Sequence, residues 1–222
     1  MKVRSSEASN WRGMAFDTYD GKKWTMSAPL DVRKVWASQP PIYVKMSHQV
    51  HKDLTQKHDL IQTFYIEKEL SNLVFSTPYA DELYFPANYV MVDNYGSIRS
   101  PVELERGLTY SVISRVPDFN LKKLIDPGYI SQFSLVSENY LQVPVLSGRV
   151  IKLINEITEN STSNFDKIVK IKSYLQKNYP YNLNISEFPE NAETIDYFLF
   201  EQKQGYCEHF ATSLAVMART LS

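Results

Sequence analysis

The hydrophobic pattern has two different periods along the chain. Up to about residue 146, apolar and polar side chains follow the two-residue period of strands. The segments are short, contain many aromatic and β-branched residues, and are bounded by turn residues or charges. They lie at 11–19 with a return at 24, and at 42–46, 60–66, 89–92 and 109–114. Short strands separated by turn signals predict a β-sandwich or a twisted-sheet module.

One turn signal is specific enough to predict a hairpin. Asp20 and Gly21 form a turn dipeptide between the segment that ends at Tyr19 and the one that resumes at Trp24. This dipeptide favours a tight connection between antiparallel strands. We therefore expect Tyr19 and Trp24 to lie on two paired strands.

The period changes to that of helices after Pro144. Ser147 is placed to cap a first helix, and Ser163 with Asp166 resembles a capping box in which Asp replaces Glu. The second helix should end before Pro180, because the residue preceding a proline avoids the helical conformation. The apolar positions are Val150, Leu153, Ile154 and Ile157 in the first helix and Phe165, Ile168, Val169 and Leu175 in the second.

Two further helices are predicted near the end of the chain. A short helix over 196–200 leads into the loop 202–205, and a final helix follows that loop. The final helix is expected to place its apolar side chains on one face, namely Phe210, Ala211, Leu214, Ala215, Ala218 and Leu221. The resulting fold class is α+β, with a β-rich domain over 1–146 and a helical part over 147–222.

Composition narrows the classes of function. Apolar residues make up 43% of the 222 residues and charged residues 22%, which is typical of a soluble globular protein. The net charge of −1 gives no electrostatic basis for binding nucleic acid or an anionic membrane surface. The single cysteine excludes an internal disulfide and a cysteine-based metal site, and no cofactor is expected. No apolar stretch has the length of a signal-peptide core or of a membrane span of ~20 residues.

The segment 204–211, Gln-Gly-Tyr-Cys-Glu-His-Phe-Ala, carries the candidate chemistry. Gly205 permits a tight turn from the loop into the helix. Cys207 then falls in the first helical turn, where unpaired N–H groups and the helix dipole favour a thiolate. Small residues at Ala211 and Ala215 would let another element pack close to this helix. The alternative is that Cys207 is a buried small hydrophobic residue, as most lone cysteines are.

The neighbouring histidine does not complete a catalytic pair with the cysteine. Residues two apart on a helix point roughly 200° apart, so the imidazole of His209 should not reach the sulfur. We expect His209 and Glu208 to pack and form hydrogen bonds at the start of the helix.

A family resemblance follows from these residues. Gly-Tyr-Cys-Glu-His-Phe-Ala at 205–211 resembles the nucleophile helix of the transglutaminase-like superfamily. The chain is more narrowly similar to the large bacterial membrane-anchored transglutaminase-like proteins. Further similar segments lie at 11–13, 16–24, 110–117, 174–175, 179–181 and 217–221.

The resemblance implies a fold and an activity. It implies a papain-like core with a Cys–His–Asp triad, in which Cys207 forms a thioester with a glutamine side chain or a peptide-like amide. Cross-linking, amine incorporation and hydrolysis all remain open outcomes. The family's His and Asp come after the nucleophile helix, so we expect this chain to be inactive by itself. The resemblance also implies an extracytoplasmic region of a bacterial membrane protein, with the membrane reached through flanking segments.

Three histidines and two glutamines offer other site assignments. His48, His51 and His58 are candidates for a rearranged catalytic base or a metal site, but their separations of three and seven residues match no zinc pattern. Gln202 and Gln204 are candidates for the oxyanion donor.

An alternative function of another class is a non-catalytic interaction or carbohydrate-contact module. It would need exposed, coplanar aromatic rings in the β-rich part, where filling of a sheet face is the simpler explanation. The candidate rings are Tyr79, Tyr84, Phe85, Tyr89 and Tyr95.

Overall fold

A computed structural model describes residues 1–28, 31–44, 57–117 and 138–221. The chain forms two compact units. The first comprises the described residues of Met1–Phe16 and Ala28–Phe119, and the second those of Asp17–Ser27 and Asn120–Ser222. His48 and His51 lie outside the described residues.

The strands precede the helices, as the change of period predicts. In chain order they are β1 (Lys2–Ser5), β2 (Thr18–Tyr19), β3 (Trp24–Thr25), β4 (Val32–Trp36), β5 (Ile42–Tyr43), β6 (Lys57–Tyr65), β7 (Leu73–Val74), β8 (Ala80–Tyr84), β9 (Tyr89–Asp93), β10 (Ile98–Arg99) and β11 (Thr109–Pro117).

The first unit contains two antiparallel sheets. One has the strand order β1-β6-β11-β8-β5, and the other has the order β4-β9-β10-β7. Buried side chains of both sheets share one core, in which Phe64 stacks on Tyr110 with ring centroids 4.8 Å apart. The alternation of half-buried and buried positions over Tyr89–Val92 of β9 is what the sequence period predicts. The module is therefore a β-sandwich, the first of the two predicted alternatives.

Strands with a strong apolar pattern were predictable and polar ones were not. The predicted segments 60–66, 89–92 and 109–114 correspond to β6, β9 and β11. The strands β1, β7, β8 and β10 were not predicted. β1 lies at a sheet edge and contains no fully buried residue, and β7 and β10 are only two residues long. Of the predicted segment 42–46, Ile42 and Tyr43 form β5, and residues 45 and 46 lie outside the described residues.

The second unit contains a short 3₁₀ segment, Glu138–Leu141, and the helices. Ser147 and Ser163 cap the first two, and their side chains accept hydrogen bonds from the N–H groups of Val150 and Asp166 at 3.4 and 3.1 Å. Both caps were predicted. Among the described residues, the helices are α1 (Gly148–Thr158), α2 (Asn164–Asn178), α3 (Thr194–Tyr197), a π-helical turn (Phe198–Gln202) and α4 (Cys207–Arg219). None of the described helices is both long enough and apolar enough to cross a membrane.

The predicted apolar face of α2 was partly wrong. Leu175 is buried as expected, but Ile168 and Val169 are exposed and Ile171 is buried instead. The sequence contains more apolar positions than one face can hold, so periodicity alone could not select Ile171.

The hairpin of β2 and β3 packs with the helices of the second unit. The predicted hairpin is confirmed, and within it Tyr19 pairs with Trp24. The Trp24 indole N–H donates to Thr212 Oγ1 at 3.0 Å, and the Arg219 guanidinium donates to the carbonyl oxygen of Asp17 at 2.6 Å. Residues 17–27 thus belong with the helical unit, although the sequence analysis placed them in the β-rich domain. Whether 1–146 and 147–222 behave as independent domains stays a prediction.

Candidate active site

The loop before α4 is fixed by a short parallel pairing with the segment that follows α2. Tyr181 and Gly205 form an isolated bridge. The N–H of Asn182 donates to the carbonyl oxygen of Gly205 at 2.8 Å, and the N–H of Gly205 donates to that of Pro180 at 3.3 Å. Lys203 ends the π-helical turn in a left-handed conformation, with φ of 52°. The start of α4 is thereby held from two sides.

Gly205 is needed for close packing and not for a left-handed turn. Its φ lies outside the positive range, so glycine is not required here for a left-handed conformation. A Cβ at this position would lie 3.0 Å from two ring atoms of His209 and 3.0 Å from Cε2 of Phe198. A side chain at this position would therefore crowd both rings, which would have to give way by a few tenths of an ångström.

Cys207 is the first residue of α4, as predicted, and its side chain is exposed. The preceding residue, Tyr206, has extended backbone angles and serves as the N-cap. Within the described part of the chain, the N–H groups of Cys207 and Glu208 have no acceptor. Free N–H groups at a helix start stabilise negative charge. The sulfur is therefore accessible and next to donors, which removes the alternative of a buried small hydrophobic residue.

A groove of about 680 Å³ contains Cys207. Its walls come from the end of α2, the segment after it, and the exposed side of α4. Apolar surface predominates, with Lys172 and Gln176 as polar members. The other lining residues are Leu175, Tyr179, Pro180, Tyr181, Phe210, Ala211 and Leu214. The predicted position of Cys207 at a groove is confirmed, and its catalytic role stays a prediction.

The buried side of α4 contains polar as well as apolar residues. The buried residues are His209, Thr212, Ser213, Val216 and Met217. Phe210, Ala211 and Leu214, predicted to share one apolar face of the helix, line the groove beside Cys207, and Phe210 and Leu214 also pack against the core of the second unit. Thr212, on the buried side, accepts the hydrogen bond of the Trp24 indole N–H.

His209 supports the helix start, as predicted. Its Nδ1 accepts a hydrogen bond from the Tyr206 N–H at 3.3 Å. Its ring packs against Phe188 and Tyr206, with centroids 4.8 and 4.4 Å away. Burial is the main cause that lowers the pKa of His209, with a smaller opposing effect from the charge of Glu208. Because Nδ1 accepts a bond, the neutral ring carries its proton on Nε2.

The lowered pKa of His209 predicts a loss of stability in mild acid. The unfolded chain takes up the proton first, at its ordinary pKa of about 6.5. The contribution of neutral His209 is therefore complete above that pH and declines as the pH falls through the folded-state value. In urea unfolding between pH 7.5 and 5, wild type should lose more free energy of unfolding than His209→Gln, which keeps an acceptor but does not titrate. Equal pH slopes in both proteins would contradict this assignment.

Other histidines do not supply a base within the second unit. Residues 17–27 and 120–222 contain only one histidine, His209. His58 lies on β6 of the first unit, with its Nε2 3.4 Å from a carboxylate oxygen of Glu7. Among the described residues, no three His, Cys, Asp or Glu side chains come together as a metal site.

The two glutamines before the cysteine are placed differently. The side-chain oxygen of Gln204 accepts a hydrogen bond from the Asn182 amide at 3.1 Å, which orients the Gln204 amide near the loop pairing. Gln202 ends the π-helical turn. An oxyanion role for either one stays a prediction.

The five aromatic residues proposed for carbohydrate contact do not form an exposed platform. Phe85 and Tyr95 are each only 3% exposed, and Phe85 packs against Tyr110 in the core of the first unit. Tyr84 is exposed, and Tyr89 packs against Trp36 with ring centroids 4.5 Å apart. The set is divided between core and surface, which removes the observation that motivated this alternative.

Comparison with known families agrees with both parts of the fold. Residues 1–120 match the family described as the TgpA N-terminal domain. Residues 151–222 match the transglutaminase-like superfamily.

Individual relatives match over nearly the whole chain. The uncharacterized protein YebA of Bacillus subtilis (strain 168) is 26% identical to this chain over an alignment of 237 residues. The alignment covers 98% of this chain. The chain spans 30% of the length of that relative. Two crystal structures of the periplasmic domain of TgpA from Pseudomonas aeruginosa, one of them bound to ethylmercury, superpose with TM-scores of 0.60 and 0.59. They are 16% and 18% identical to this chain, and each match covers 98% of this chain. The matches cover 70% and 68% of the two solved chains. At these identities the superpositions establish a shared fold.

Proposed function

The chain belongs to the TgpA N-terminal domain family and continues into a transglutaminase-like core, and from this premise we propose that Cys207 is the nucleophile of an acyl-transfer enzyme. The acyl donor is a glutamine side chain or a peptide-like amide of a protein. The observation that carries the proposal is the exposed sulfur at the first residue of α4, inside a groove and beside unpaired N–H groups.

The reaction proceeds in two steps. The thiolate of Cys207 attacks the amide carbonyl carbon, an S–C bond forms, and the C–N bond breaks as the nitrogen takes a proton and leaves as ammonia or an amine. A primary amine or water then attacks the thioester and restores the thiol. The first acceptor gives a new amide, and the second gives a carboxylic acid. The groove at Cys207 would hold the donor. Its apolar walls would keep water away from the thioester.

The base for this reaction comes from outside the described residues of the second unit. A general base must lie within hydrogen-bond reach of the thiol, directly or through one water. His209 lies on the buried face of α4, with its Nδ1 engaged by Tyr206, while Cys207 lines the groove. By resemblance, a His held by an Asp from the segment after the nucleophile helix fills this role.

Replacing the nucleophile should abolish turnover. The assay uses the chain extended through the family's His and Asp. In it, Cys207→Ser should lower incorporation of a fluorescent primary amine into a glutamine-bearing protein by at least about 10³-fold, because a hydroxyl is a much weaker nucleophile than a thiolate. Glu159→Gln, an exposed substitution away from the groove, serves as the control and should keep the wild-type rate. Retained turnover in Cys207→Ser would contradict the proposal.

We also propose that this region lies on the extracytoplasmic side of a bacterial membrane. The similarity to a periplasmic domain supports this location. A reporter active only outside the cytoplasm, fused after residue 222 in the native gene with its upstream sequence, should be active. A matched reporter active only in the cytoplasm should be silent at the same position. The opposite pattern would contradict the proposed location.

A further inference from the structure

The hairpin of β2 and β3 depends on contacts outside its own two strands. Each strand has two residues, and an isolated two-stranded hairpin is marginally stable at best in water. The side-chain amide of Gln142 bonds both backbone groups of Tyr19, as a neighbouring strand would. It accepts from the N–H at 2.9 Å and donates to the carbonyl oxygen at 3.0 Å. The Asp17 carboxylate accepts bonds from the N–H and the hydroxyl of Ser27 at 2.8 and 2.6 Å, which closes the base of the hairpin.

The hairpin is joined to the buried side of α4 by directed bonds. The indole N–H of Trp24 donates to Thr212 Oγ1 at 3.0 Å, and Thr212 is 6% exposed. At the end of α4, the guanidinium of Arg219 donates to the carbonyl oxygens of Asp17 and Gln142 at 2.6 and 2.9 Å. Apolar packing is non-directional, whereas a hydrogen bond has a preferred distance and angle. These bonds therefore fix the position of α4 along its axis and its rotation about that axis.

The turn of the same hairpin is bonded to the start of α3. The carbonyl oxygen of Gly21 accepts a hydrogen bond from the N–H of Thr194 at 2.9 Å. The hydroxyl of Tyr19 donates to the same oxygen at 2.8 Å and lies 3.5 Å from a carboxylate oxygen of Glu193, the N-cap of α3. α3 runs directly into the π-helical turn, and the loop that follows ends at Cys207. The helices on both sides of this loop are thus bonded to one hairpin.

We propose that Trp24 is a positioning residue for the reaction at Cys207 and acts through its hydrogen bond to Thr212. The inference rests on the proposed function and adds a distant part of the chain to it. The bond sets the position of α4, and therefore the distance from the sulfur to a base that comes from another element. A misplacement of about 1 Å can cost on the order of 10²-fold in rate. Trp24 and Thr212 do not line the groove at Cys207, so loss of their bond should leave the walls of that groove in place.

A matched pair of substitutions at Thr212 separates positioning from packing. Thr212→Val keeps the shape of the side chain and removes the acceptor. In the chain extended through the family's His and Asp, it should lower kcat about tenfold and change KM by less than about twofold. Thr212→Ser keeps the acceptor and loses a methyl group, so its kcat should stay within about twofold of wild type. A role in packing alone predicts the opposite order, because the buried methyl contributes to packing.

Trp24→Phe keeps an aromatic ring and removes the donor. It should lower kcat by about the same factor as Thr212→Val, and the double variant should be no slower than either single variant, because both remove one bond. Trp36→Phe is the control, since Trp36 is 64% exposed on β4 of the first unit and its replacement should leave kcat unchanged. All rates are compared per folded molecule, at a temperature at which circular dichroism shows each variant folded.

Alkylation of Cys207 by iodoacetamide gives a readout that needs no acyl donor. In the extended chain, Thr212→Val should slow alkylation about fivefold, because the sulfur is displaced from its base. In the 222-residue chain the same substitution should change the rate by less than about twofold, because the N–H groups beside the sulfur belong to α4 and move with it.

The two readouts separate this inference from the proposed function. If alkylation responds as expected but turnover does not depend on Cys207, the proposed reaction fails and the positioning role stands. If turnover depends on Cys207 but the Val and Ser variants of Thr212 match wild type in kcat and in alkylation of the extended chain, only the positioning role of Trp24 is overturned.

Discussion

Amine incorporation by the 222-residue chain should be about 10²–10⁴-fold slower than incorporation by a chain extended through the family's His and Asp. This range is the typical contribution of a general acid–base to catalysis. His209 is the single histidine of the second unit, and its Nδ1 is engaged by the Tyr206 N–H on the buried face of α4. The helix dipole contributes only about 0.3–1 kcal/mol at an exposed site, which is too little to replace a base.

Both chains should be assayed at the same concentration, with Cys207→Ala in each as the blank. Alkylation of the thiol by iodoacetamide should follow the same order, with the extended chain reacting faster. Equal alkylation and equal turnover in the two chains would show that no base beyond the described residues is needed.

Changing Phe198 to alanine should lower the free energy of unfolding of the second unit by about 3–5 kcal/mol, the usual range for a buried Phe→Ala. Phe198 is fully buried at the start of the π-helical turn. Its ring lies 5.0 Å from that of Tyr179 and 5.3 Å from that of Phe210, centroid to centroid. It also touches the site at which a Cβ on Gly205 would lie. Loss of this ring removes the packing that positions the loop before Cys207.

Val145→Ala is the control for this substitution. Val145 lies in the same unit and is 98% exposed, so its truncation should change stability by no more than about 0.5 kcal/mol. Chemical denaturation of both variants, followed by tryptophan fluorescence, gives the comparison. A loss below about 1 kcal/mol for Phe198→Ala would mean that the helical core does not depend on this ring.

Local features of the fold were predictable because their partners are close in sequence. Ser147 and Ser163 cap helices through N–H groups three residues away, and the turn at Asp20 and Gly21 pairs strands four residues apart. The helix start at Cys207 likewise depends on the loop directly before it. Capping and turn propensities, together with the hydrophobic period along the chain, are therefore sufficient to predict these features.

Features that depend on distant partners were not predictable. The hairpin joins the helical unit through Trp24 and Thr212, which are 188 residues apart in the chain. The close approach of Gly205 to rings of α4 and of the π-helical turn was not predictable from the loop sequence either. Trp24 and His209 also line one pocket of the second unit, and no local pattern connects these two residues.

The central claim, that Cys207 is the acyl-carrying nucleophile, is tested most directly by trapping the intermediate. The extended chain should be incubated with a glutamine-bearing peptide, quenched in acid, digested, and analysed by mass spectrometry. The account predicts that the peptide containing Cys207 gains the mass of the acyl donor minus ammonia. This adduct should disappear on addition of a primary amine and should be absent from Cys207→Ala. Steady amine incorporation with no adduct at Cys207, or with full activity in Cys207→Ala, would contradict the account.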